Sequence, residues 1–480
     1  MDKPHFEWMI AERVQPADRL QVINPYDLSP IATVDTLDAE GVDRALAIAR
    51  VLFRDRDAWL PSHQRIAILA RTAELMTERA EPLALEAARE GGKPLTDSRA
   101  EVARAIDGVR NCAELLRSEA GREIPMGATA ASNGRLAFTT HEPIGVVAAI
   151  SAFNHPLNLI VHQVAPAVAA GCPVVVKPAE DTPLSCLRFV ALLREAGLPD
   201  GWAQALVTDG VASAEALATD RRVAFFSFIG SARVGWHLRA RLAPGTRCAL
   251  EHGGAAPVIL DRGLDLDAVV PLLAKGGFYH AGQVCVSVQR VFAHREIAED
   301  LARALAGVGS AMRVGDPLSA ETDIGPLIRP RETARVHEWV REAVDGGAGL
   351  LSGGEPISDT CYPATVLLDP PDAARVSTNE VFGPVICVYP YDDRDDAIRR
   401  ANALPYAFQA AVFTSDLDFA LHVAKRLDAS AVMVNDHTAF RVDWMPFAGL
   451  RESGLGTGGI PYSFHDMRVE KMLVFRSAAV

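Results

Sequence analysis

Residues 144–177 read IGVVAAISAFNHPLNLIVHQVAPAVAAGCPVVVK, and the pattern of this stretch decides the fold class. Two apolar, β-branched runs, at 144–151 and 173–177, flank a helical stretch at 156–170 that ends at Gly171. Continuous apolar strands on either side of a helix are typical of a parallel sheet that is covered on both faces. We therefore predict that a doubly wound, nucleotide-binding α/β unit begins here.

The same alternation continues towards the carboxyl terminus. The pattern predicts strands near 203–208, 223–229 and 246–250 and helices at 183–196, 211–219 and 231–242. Towards the amino terminus, Ala/Leu/Arg/Glu-rich runs at helical spacing predict helices such as 64–90 and 97–118, separated by a Gly-Gly-Lys-Pro break at 91–94.

The chain is too long for a single hydrophobic core, so we expect several domains. We assign 1–120 and 142–253 to the nucleotide-binding domain and 254–452 to a second α/β domain with longer insertions. The segments 121–141 and 466–480 fit neither domain. They contain the strand-like stretches Arg135–Thr140 and Lys471–Phe475, which we expect to pair with each other or with another subunit.

Composition excludes several classes of function. The 480 residues include 48 Lys+Arg and 61 Asp+Glu, a net charge of −13, which argues against nucleic-acid and anionic-membrane partners. The first residues, MDKPHFEWMI, lack a signal-peptide pattern, and no apolar stretch is long enough to span a membrane. Seven scattered cysteines without a CxxC pair predict no disulfide framework and no metal site, and they favour the reducing cytoplasm.

Two short motifs carry candidate chemistry. Cys285 ends a Gly-Gln-Val-Cys stretch, where glycine permits close backbone approach to an exposed thiol, and Glu251 precedes a Gly-Gly turn. Taken alone, Cys285 is better explained as an inert buried thiol and Glu251 as a solvated charge.

Together with five further motifs, however, these two resemble the motif series of the aldehyde dehydrogenase superfamily in order and spacing. In chain order the motifs are Phe153-Asn154-His155-Pro156, Lys177-Pro178-Ala179-Glu180, Ile229-Gly230-Ser231, Leu250-Glu251-His252-Gly253-Gly254, Gly282-Gln283-Val284-Cys285, Glu380-Val381-Phe382-Gly383-Pro384 and Pro446-Phe447-Ala448-Gly449. Seven such matches along nearly the whole chain are very hard to produce by chance.

The resemblance implies the aldehyde dehydrogenase fold, with a Rossmann-like NAD-binding domain, a catalytic domain at 254–452 and a small β oligomerisation arm. It implies that Cys285 attacks the aldehyde to give a thiohemiacetal and that Asn154 and the Cys285 N–H stabilise its oxyanion. Hydride transfer to the nicotinamide then leaves a thioester, which Glu251 hydrolyses by activating water. Lys177 is the fourth catalytic candidate. Asn154 has an alternative role as a helix cap before Pro156.

The resemblance also implies which residues bind the cofactor. The candidates are Ser151, Phe153, Lys177, Ala179, Glu180, Gly210, Gly230, Ser231, Glu380 and Phe382. The Glu180 carboxylate can accept hydrogen bonds from an adenine ribose and repels a 2′-phosphate, so we expect NAD, with NADP use still open because Lys177 is near. A strict GxGxxG fingerprint is missing after Gly210. Phe382 has core packing as an alternative role.

Several positions depart from the commonest family pattern. His155 follows Asn154 where an aromatic residue is usual, and Ala448 replaces a glycine. His252 replaces an apolar residue after Glu251; it could tune the carboxylate, but we expect it to pack. Thr457 and Gly458 stand where Arg-Glu often follows the Gly-rich turn, so a secondary proton-relay carboxylate is missing.

The sequence gives less information on the substrate. His155, Arg104 and Arg441 resemble residues of the lactaldehyde and phosphonoacetaldehyde branches, in which cations hold an anionic group. We therefore hypothesise a short polar or anionic aldehyde. Val284 weakens this hypothesis, because the phosphonate-handling enzymes have Arg directly before the nucleophile. The alternative is that Arg104 is a helix-surface charge and that Arg441 pairs with Asp443.

Two other functions remain as alternatives. A CoA-acylating dehydrogenase would release its thioester to coenzyme A, but such enzymes generally lack the carboxylate that Glu251 provides. A non-catalytic NAD-binding protein on the same scaffold would lose the nucleophile or the base, and both are present. We expect a homodimer or homotetramer, built partly by the two arm strands.

Overall fold

The computed structural model describes residues 3–479; residues 1, 2 and 480, which the predicted domain and arm boundaries include, lie outside the described residues. The helices are α1 Ala39–Arg54, α2 Ser62–Glu78, α3 Ala80–Gly91, α4 Leu95–Ser118, α5 Asn158–Ala170, α6 Leu184–Glu195, α7 Val211–Thr219, α8 Ala232–Arg239, α9 Leu266–Phe278, α10 Arg295–Ala311, α11 Pro330–Asp345, α12 Arg375–Thr378, α13 Arg394–Ala401, α14 Leu417–Arg426 and α15 Ile460–Asp466.

In the part of the chain that the structure describes, the strands form five sheets. They are β1 His5–Phe6, β2 Asp18–Ile23, β3 Pro30–Thr36, β4 Glu123–Ile124, β5 Arg135–Pro143, β6 Val146–Ile150, β7 Val174–Lys177, β8 Ala203–Ala205, β9 Val223–Ile229, β10 Arg247–Glu251, β11 Ala256–Leu260, β12 Val288–His294, β13 Gly349–Ser352, β14 Thr365–Leu368, β15 Val385–Tyr391, β16 Tyr406–Ala407, β17 Gln409–Phe413, β18 Ala431–Val434, β19 Leu450–Arg451, β20 Gly454–Leu455 and β21 Arg468–Arg476.

The first large sheet has the order β20-β10-β9-β6-β7-β8, in which only β20 runs antiparallel to its neighbour. The chain leaves β6 for β7 on one side and returns to β9 on the other, so the strand order reverses at β6. Ligands bind in such sheets outside the carboxyl ends of the strands, at the point of reversal. The predicted residues Asn154, Lys177, Gly230 and Glu251 lie at the ends of four adjacent strands at this edge.

The second large sheet has the order β13-β14-β15-β12-β11-β17-β18, with β13 alone antiparallel. Cys285 comes just before β12 and Glu380 just before β15, so this sheet presents its amino edge to the site. The first sheet has a buried apolar cluster on each face, with α2, α3 and α4 in one and α1 in the other, and the second sheet has a cluster of its own. The α/β fold that the sequence predicts is confirmed.

The predicted arm strands pair with each other. β5 and β21 form an antiparallel ladder from Arg135↔Arg476 to Pro143↔Arg468, and β4 adds a short third strand. Residues 453–465, which the predicted domains left out, return to the first sheet through β20 and form most of α15, which packs into the core of that sheet. No helix within residues 3–479 is sufficiently long and apolar to cross a membrane.

One predicted helix is wrong. The run 64–90 is two helices, because α2 ends at Glu78 and α3 begins at Ala80, with Arg79 between them at φ −115° and ψ 23°. Pro82 explains the break, since a helical proline has no N–H to donate to residue 78 and its ring clashes with that carbonyl. Between residues 144 and 251 every predicted helix and strand is present, with ends shifted by three residues or fewer.

Candidate active site

A single cavity of about 1080 Å³ lies between the carboxyl edge of the first sheet and the amino edge of the second. The predicted site residues that line it are Arg104, Ser151, Phe153, Asn154, His155, Lys177, Ala179, Glu180, Gly230, Ser231, Glu251, Cys285, Glu380, Phe382 and Arg441. Gly210 is the exception: it is the residue before α7, and Val211 and Ala214 of that helix line the cavity in its place.

A strained turn presents the Cys285 thiol to the cavity. His280, Ala281 and Gly282 all have positive φ, at 48°, 53° and 69°, and a Cβ on Gly282 would lie 2.0 Å from the Gly383 carbonyl oxygen. Only glycine is tolerated there. Cys285 is half-buried, whereas Val284 and Val286 on either side are buried. Burial raises the pKa of the Cys285 thiol to about 12, an effect that the positive charge of Arg441 opposes.

The Glu251 carboxylate occupies space that glycine leaves free. A Cβ built on Gly458 would lie 1.9 Å from Glu251 Oε1, so a side chain at residue 458 would displace the carboxylate. Burial raises the pKa of Glu251, and Arg441 again acts in the opposite direction. The absence of the family's second carboxylate at 458 therefore leaves room for Glu251 itself, and a raised pKa suits a general base.

Asn154 lies against the loop that carries Cys285. Its side chain is buried, and Nδ2 donates to the carbonyl of Gln283 at 3.0 Å, two residues before Cys285. It does not cap α5, so that alternative is wrong. The cap is Glu101, whose Oε1 accepts from the N–H groups of Leu157 and Asn158 at 3.0 Å each.

The donors and acceptors at the other end of the cavity fit a dinucleotide. Lys177 Nζ donates to Glu180 Oε1 at 2.5 Å, which places an ammonium and a carboxylate where a ribose would bind. Ser231 precedes α8 and makes no side-chain capping bond, so the first N–H groups of this helix can meet a pyrophosphate. These features have the chemistry and placement expected of a cradle for NAD or NADP.

Glu380 and Phe382 border the middle of the cavity. A Cβ on Gly253 would lie 1.7 Å from Glu380 Oε1, so the carboxyl group approaches the backbone where only glycine fits. The Gly254 N–H donates to that oxygen at 3.2 Å, and burial raises the pKa of Glu380 to about 8. Phe382 is half-buried and meets Phe153 edge-to-face at 5.9 Å, so it borders the site and is not simple core packing.

At the substrate end, the sequence-based alternative for the two arginines is wrong. Arg104 is no surface charge, because it forms a two-pronged ion pair with the buried Asp443, at 3.0 Å and 2.7 Å. Asp443 also accepts from His162 at 2.7 Å and from Asn158 at 3.1 Å. Burial alone would raise the pKa of Asp443, but His162 and Arg104 hold it far below its ordinary value.

Among residues 3–479, no carboxylate is in direct contact with Arg441. Its guanidinium lies 3.6 Å above the ring centre of Phe447, Nη2 is 3.4 Å from His162 Nδ1, and Nε has no partner within residues 3–479. Nearby His155 is neutral, because burial and then the charge of Lys93 hold its pKa well below the ordinary value. Its Nε2 is 3.4 Å from the Tyr279 hydroxyl. Because this contact is long, both side chains can still form a hydrogen bond with a substrate.

Sequence reasoning missed several residues. Asp443 was considered only as a partner of Arg441, and no local pattern predicts its pairing with Arg104, 339 residues away. Arg335 and Trp339 line the cofactor end, with the guanidinium 4.7 Å from the indole centre. Their spacing of four residues on a helix was the available signal, since it places both on one face.

The sequence profile of the aldehyde dehydrogenase family matches residues 12–473. The chain belongs to the aldehyde dehydrogenase family. It is an enzyme of the NAD(P)-dependent, aldehyde-oxidising class, as the motif series predicted.

Similar proteins agree with this assignment. The chain is 38% identical to 3-sulfolactaldehyde dehydrogenase of Priestia aryabhattai, covering 95% of each chain. It is 34% identical to lactaldehyde dehydrogenase of Methanocaldococcus jannaschii, covering 95% of this aldehyde dehydrogenase and 97% of that one.

Solved structures share the fold over nearly the whole chain. Aldehyde dehydrogenase 21 from Physcomitrella patens, in complex with the reaction product succinate, superposes with a TM-score of 0.95 at 33% identity and full coverage of both chains. Glyceraldehyde-3-phosphate dehydrogenase from Methanocaldococcus jannaschii, complexed with NADP, has a TM-score of 0.92 at 33% identity, covering 97% of this chain and 100% of that one.

Proposed function

We propose that this aldehyde dehydrogenase oxidises a short anionic aldehyde to its acid, with Cys285 as nucleophile, Glu251 as general base and Asn154 as oxyanion donor. One observation carries the assignment of the residues. A thiol, a carboxylate and an amide that are far apart in the sequence line the same cavity, which also contains the cofactor cradle.

The chemistry follows from these groups. The Cys285 sulfur, after losing its proton to solvent, bonds to the aldehyde carbon, and the carbonyl oxygen becomes an oxyanion that accepts hydrogen bonds from the Asn154 amide and the Cys285 N–H. Lys177, Glu180 and the Gly230-Ser231 turn would hold NAD(P), which would supply the acceptor for the hydride that leaves the tetrahedral carbon. The resulting thioester is attacked by a water whose proton passes to Glu251, and the acid leaves as the Cys285 sulfur is released.

We propose NAD as the preferred cofactor. Glu180 carries the argument, because its carboxylate suits ribose hydroxyls and repels a 2′-phosphate. The charge of Lys177 opposes burial and lowers the pKa of Glu180, which keeps that carboxylate ionised at neutral pH. Assays with NAD and NADP side by side test this preference. We expect Glu180→Gln to reduce the difference between kcat/KM for NAD and kcat/KM for NADP. Equal values of kcat/KM for the two cofactors in the wild type would contradict the proposed preference.

The anionic substrate class rests on Arg441. Arg104 and His162 already balance Asp443, so Arg441 is a cation of the substrate end that has no carboxylate in direct contact among residues 3–479. Burial lowers the pKa of Arg441, as expected for a cation that lacks full solvation. A carboxylate, sulfonate or phosphonate could complete its hydrogen bonds in two-pronged fashion. The names of two relatives described above refer to a sulfonate and a phosphate, and a third binds succinate.

A matched pair of aldehydes tests this class. 3-Sulfolactaldehyde and lactaldehyde differ by the sulfonate, so we expect Arg441→Ala to lower kcat/KM for the former at least tenfold more than for the latter. Arg331→Ala is the control, because it removes an equal charge from the opposite end of the cavity. Equal losses for both aldehydes in Arg441→Ala would contradict the proposal.

We also propose that the enzyme is a cytoplasmic homodimer or homotetramer. Seven unpaired cysteines support a reducing compartment. The outer side of β21 has no strand partner within residues 3–479, and an unpaired edge of nine residues can extend a sheet across a subunit boundary.

A further inference from the structure

His252, the residue after the proposed general base, is the strongest unassigned feature of the site. It stands where the family usually has an apolar residue, and its side chain is 2% exposed. The imidazole meets the rings of Phe228 and Trp236 edge-to-face, each at 5.7 Å. A Cβ on Gly235 would lie 1.9 Å from His252 Cε1, so α8 packs directly against the imidazole at a glycine.

The imidazole also makes one hydrogen bond, and its partner is informative. His252 Nδ1 lies 3.0 Å from the carbonyl oxygen of Gly230, the residue that with Ser231 leads into α8. Nε2 is buried and has no partner within residues 3–479. Because a carbonyl oxygen can only accept, the proton must be on Nδ1, and Nδ1–H donates to Gly230. Burial lowers the pKa of His252, which favours this neutral tautomer.

Both backbone polar groups of Gly230, one on each side of its Cα, are thereby hydrogen-bonded. Its N–H donates to the Glu251 carbonyl at 3.0 Å, and its own carbonyl accepts from His252. The backbone N–H of His252 in turn donates to the Ser453 carbonyl at 3.0 Å, which attaches His252 to the loop before β20. An apolar residue at 252 would keep the packing and the backbone bonds but would leave the Gly230 carbonyl without its side-chain donor.

We propose that His252 is a positioning residue for the cofactor, which holds the Gly230-Ser231 turn so that the first N–H groups of α8 point at the pyrophosphate of NAD(P). The inference rests on the proposed function, because it takes this turn as the pyrophosphate site. The role is exerted through backbone geometry: His252 itself need not touch the cofactor. Glu251, the proposed base, is the last residue of β10, and His252 follows it directly. The end of this strand therefore positions both the base and the turn that binds the cofactor.

The test compares His252→Leu, which restores the usual apolar character, with His252→Asn, whose amide can replace the Nδ1–H donor. We expect His252→Leu to raise the KM for NAD and the Kd for NADH about tenfold, the scale of one lost hydrogen bond. We expect kcat at saturating NAD to stay within about twofold of the wild type and His252→Asn to recover most of the affinity. Hydrolysis of p-nitrophenyl acetate is the cofactor-free control, because it requires only acyl transfer to Cys285 and attack by water.

Three results would overturn the inference: an unchanged KM for NAD in His252→Leu, loss of ester hydrolysis together with NAD affinity, or no recovery in His252→Asn. The first result would show that packing alone is the role, and the second would show general damage to the site. Failure of the proposed function is separate, because it would appear in Cys285→Ser as undiminished NADH formation, whatever the residue at 252.

Discussion

At the scale of the residue, the charge of Arg441 affects the pKa values of two other groups in the site, Cys285 and Glu251. Burial raises the pKa of both Cys285 and Glu251, and the positive charge of Arg441 opposes both shifts. A thiol and a carboxyl held in their neutral forms resist loss of a proton, and a nearby cation reduces that cost. Arg441 thus acts on the proposed nucleophile and the proposed base, in addition to its proposed role as substrate anchor.

The pH profile of kcat tests this coupling. Glu251 must be ionised to accept a proton from water, so hydrolysis is lost as the pH falls through its pKa, which lies above the ordinary 4.5. Replacing Arg441 by Gln removes the charge that lowers this pKa, and we expect the acid limb of the profile to move to higher pH. Lactaldehyde is the appropriate substrate, because it carries no anion for Arg441 to bind.

Arg331→Ala is again the matched control for loss of a positive charge, and its acid limb should coincide with that of the wild type. An acid limb that stays in place or moves to lower pH in Arg441→Gln would contradict the electrostatic account of this residue.

At the scale of the element, helix α5 follows directly after the proposed oxyanion donor. Asn154 lies four residues before this helix, whose first N–H groups are capped by the distant Glu101. Glu101 Oε2 accepts from Lys93 Nζ at 2.5 Å, and both side chains are at most 1% exposed. The Gly-Gly-Lys-Pro break that the sequence showed only as an interruption of helices therefore supplies the counter-ion of the cap.

Removing this cap should destabilise the fold. We expect Glu101→Ala to lower the free energy of unfolding by about 3–5 kcal/mol, because it leaves the Lys93 ammonium buried without its partner. The double variant Lys93→Met with Glu101→Leu should recover most of that loss and remain about 1 kcal/mol below the wild type, since the α5 cap is still missing. Urea denaturation of the wild type, the single variant and the double variant measures these free energies of unfolding. A wild-type unfolding midpoint for Glu101→Ala would refute the role of the pair.

Elements differ in how far the sequence could predict them. The strands and helices from 144 to 251 were predictable because each has a strong apolar pattern and ends at a Gly, Pro or polar residue. The family motifs predicted at which strand ends the candidate site residues lie. The pairing of Arg104 with Asp443 was not predictable, because no local pattern links residues on different elements. The break at Arg79 was present in the sequence as Pro82 and was overlooked.

At the scale of the whole molecule, the arm sheet presents apolar side chains to solvent. Met472 and Val474 lie on one face of β21 and are 54% and 45% exposed, and Phe475 is 51% exposed. An exposed apolar edge strand is an aggregation hazard unless another surface covers it. The proposed subunit interface would provide that cover.

Sedimentation velocity at micromolar concentration tests this interface. We expect the wild type to sediment as a dimer or tetramer and the double variant Met472→Lys, Val474→Lys to dissociate, because two buried ammonium groups would oppose association. Leu417→Lys is the control, since Leu417 is 71% exposed on α14, away from the arm. A monomeric wild type, or a variant that keeps the wild-type oligomer, would contradict the assignment of the arm.

The central claim is that the sulfur of Cys285 carries the acyl group until Glu251 activates the water that releases it. Intact-protein mass spectrometry of Glu251→Gln, mixed with NAD and 3-sulfolactaldehyde, tests this claim directly. We predict one acyl adduct per subunit, formed with one equivalent of NADH, and no adduct when Cys285 is also replaced by Ala. An unmodified Glu251→Gln enzyme that turns over at the wild-type rate would contradict the account.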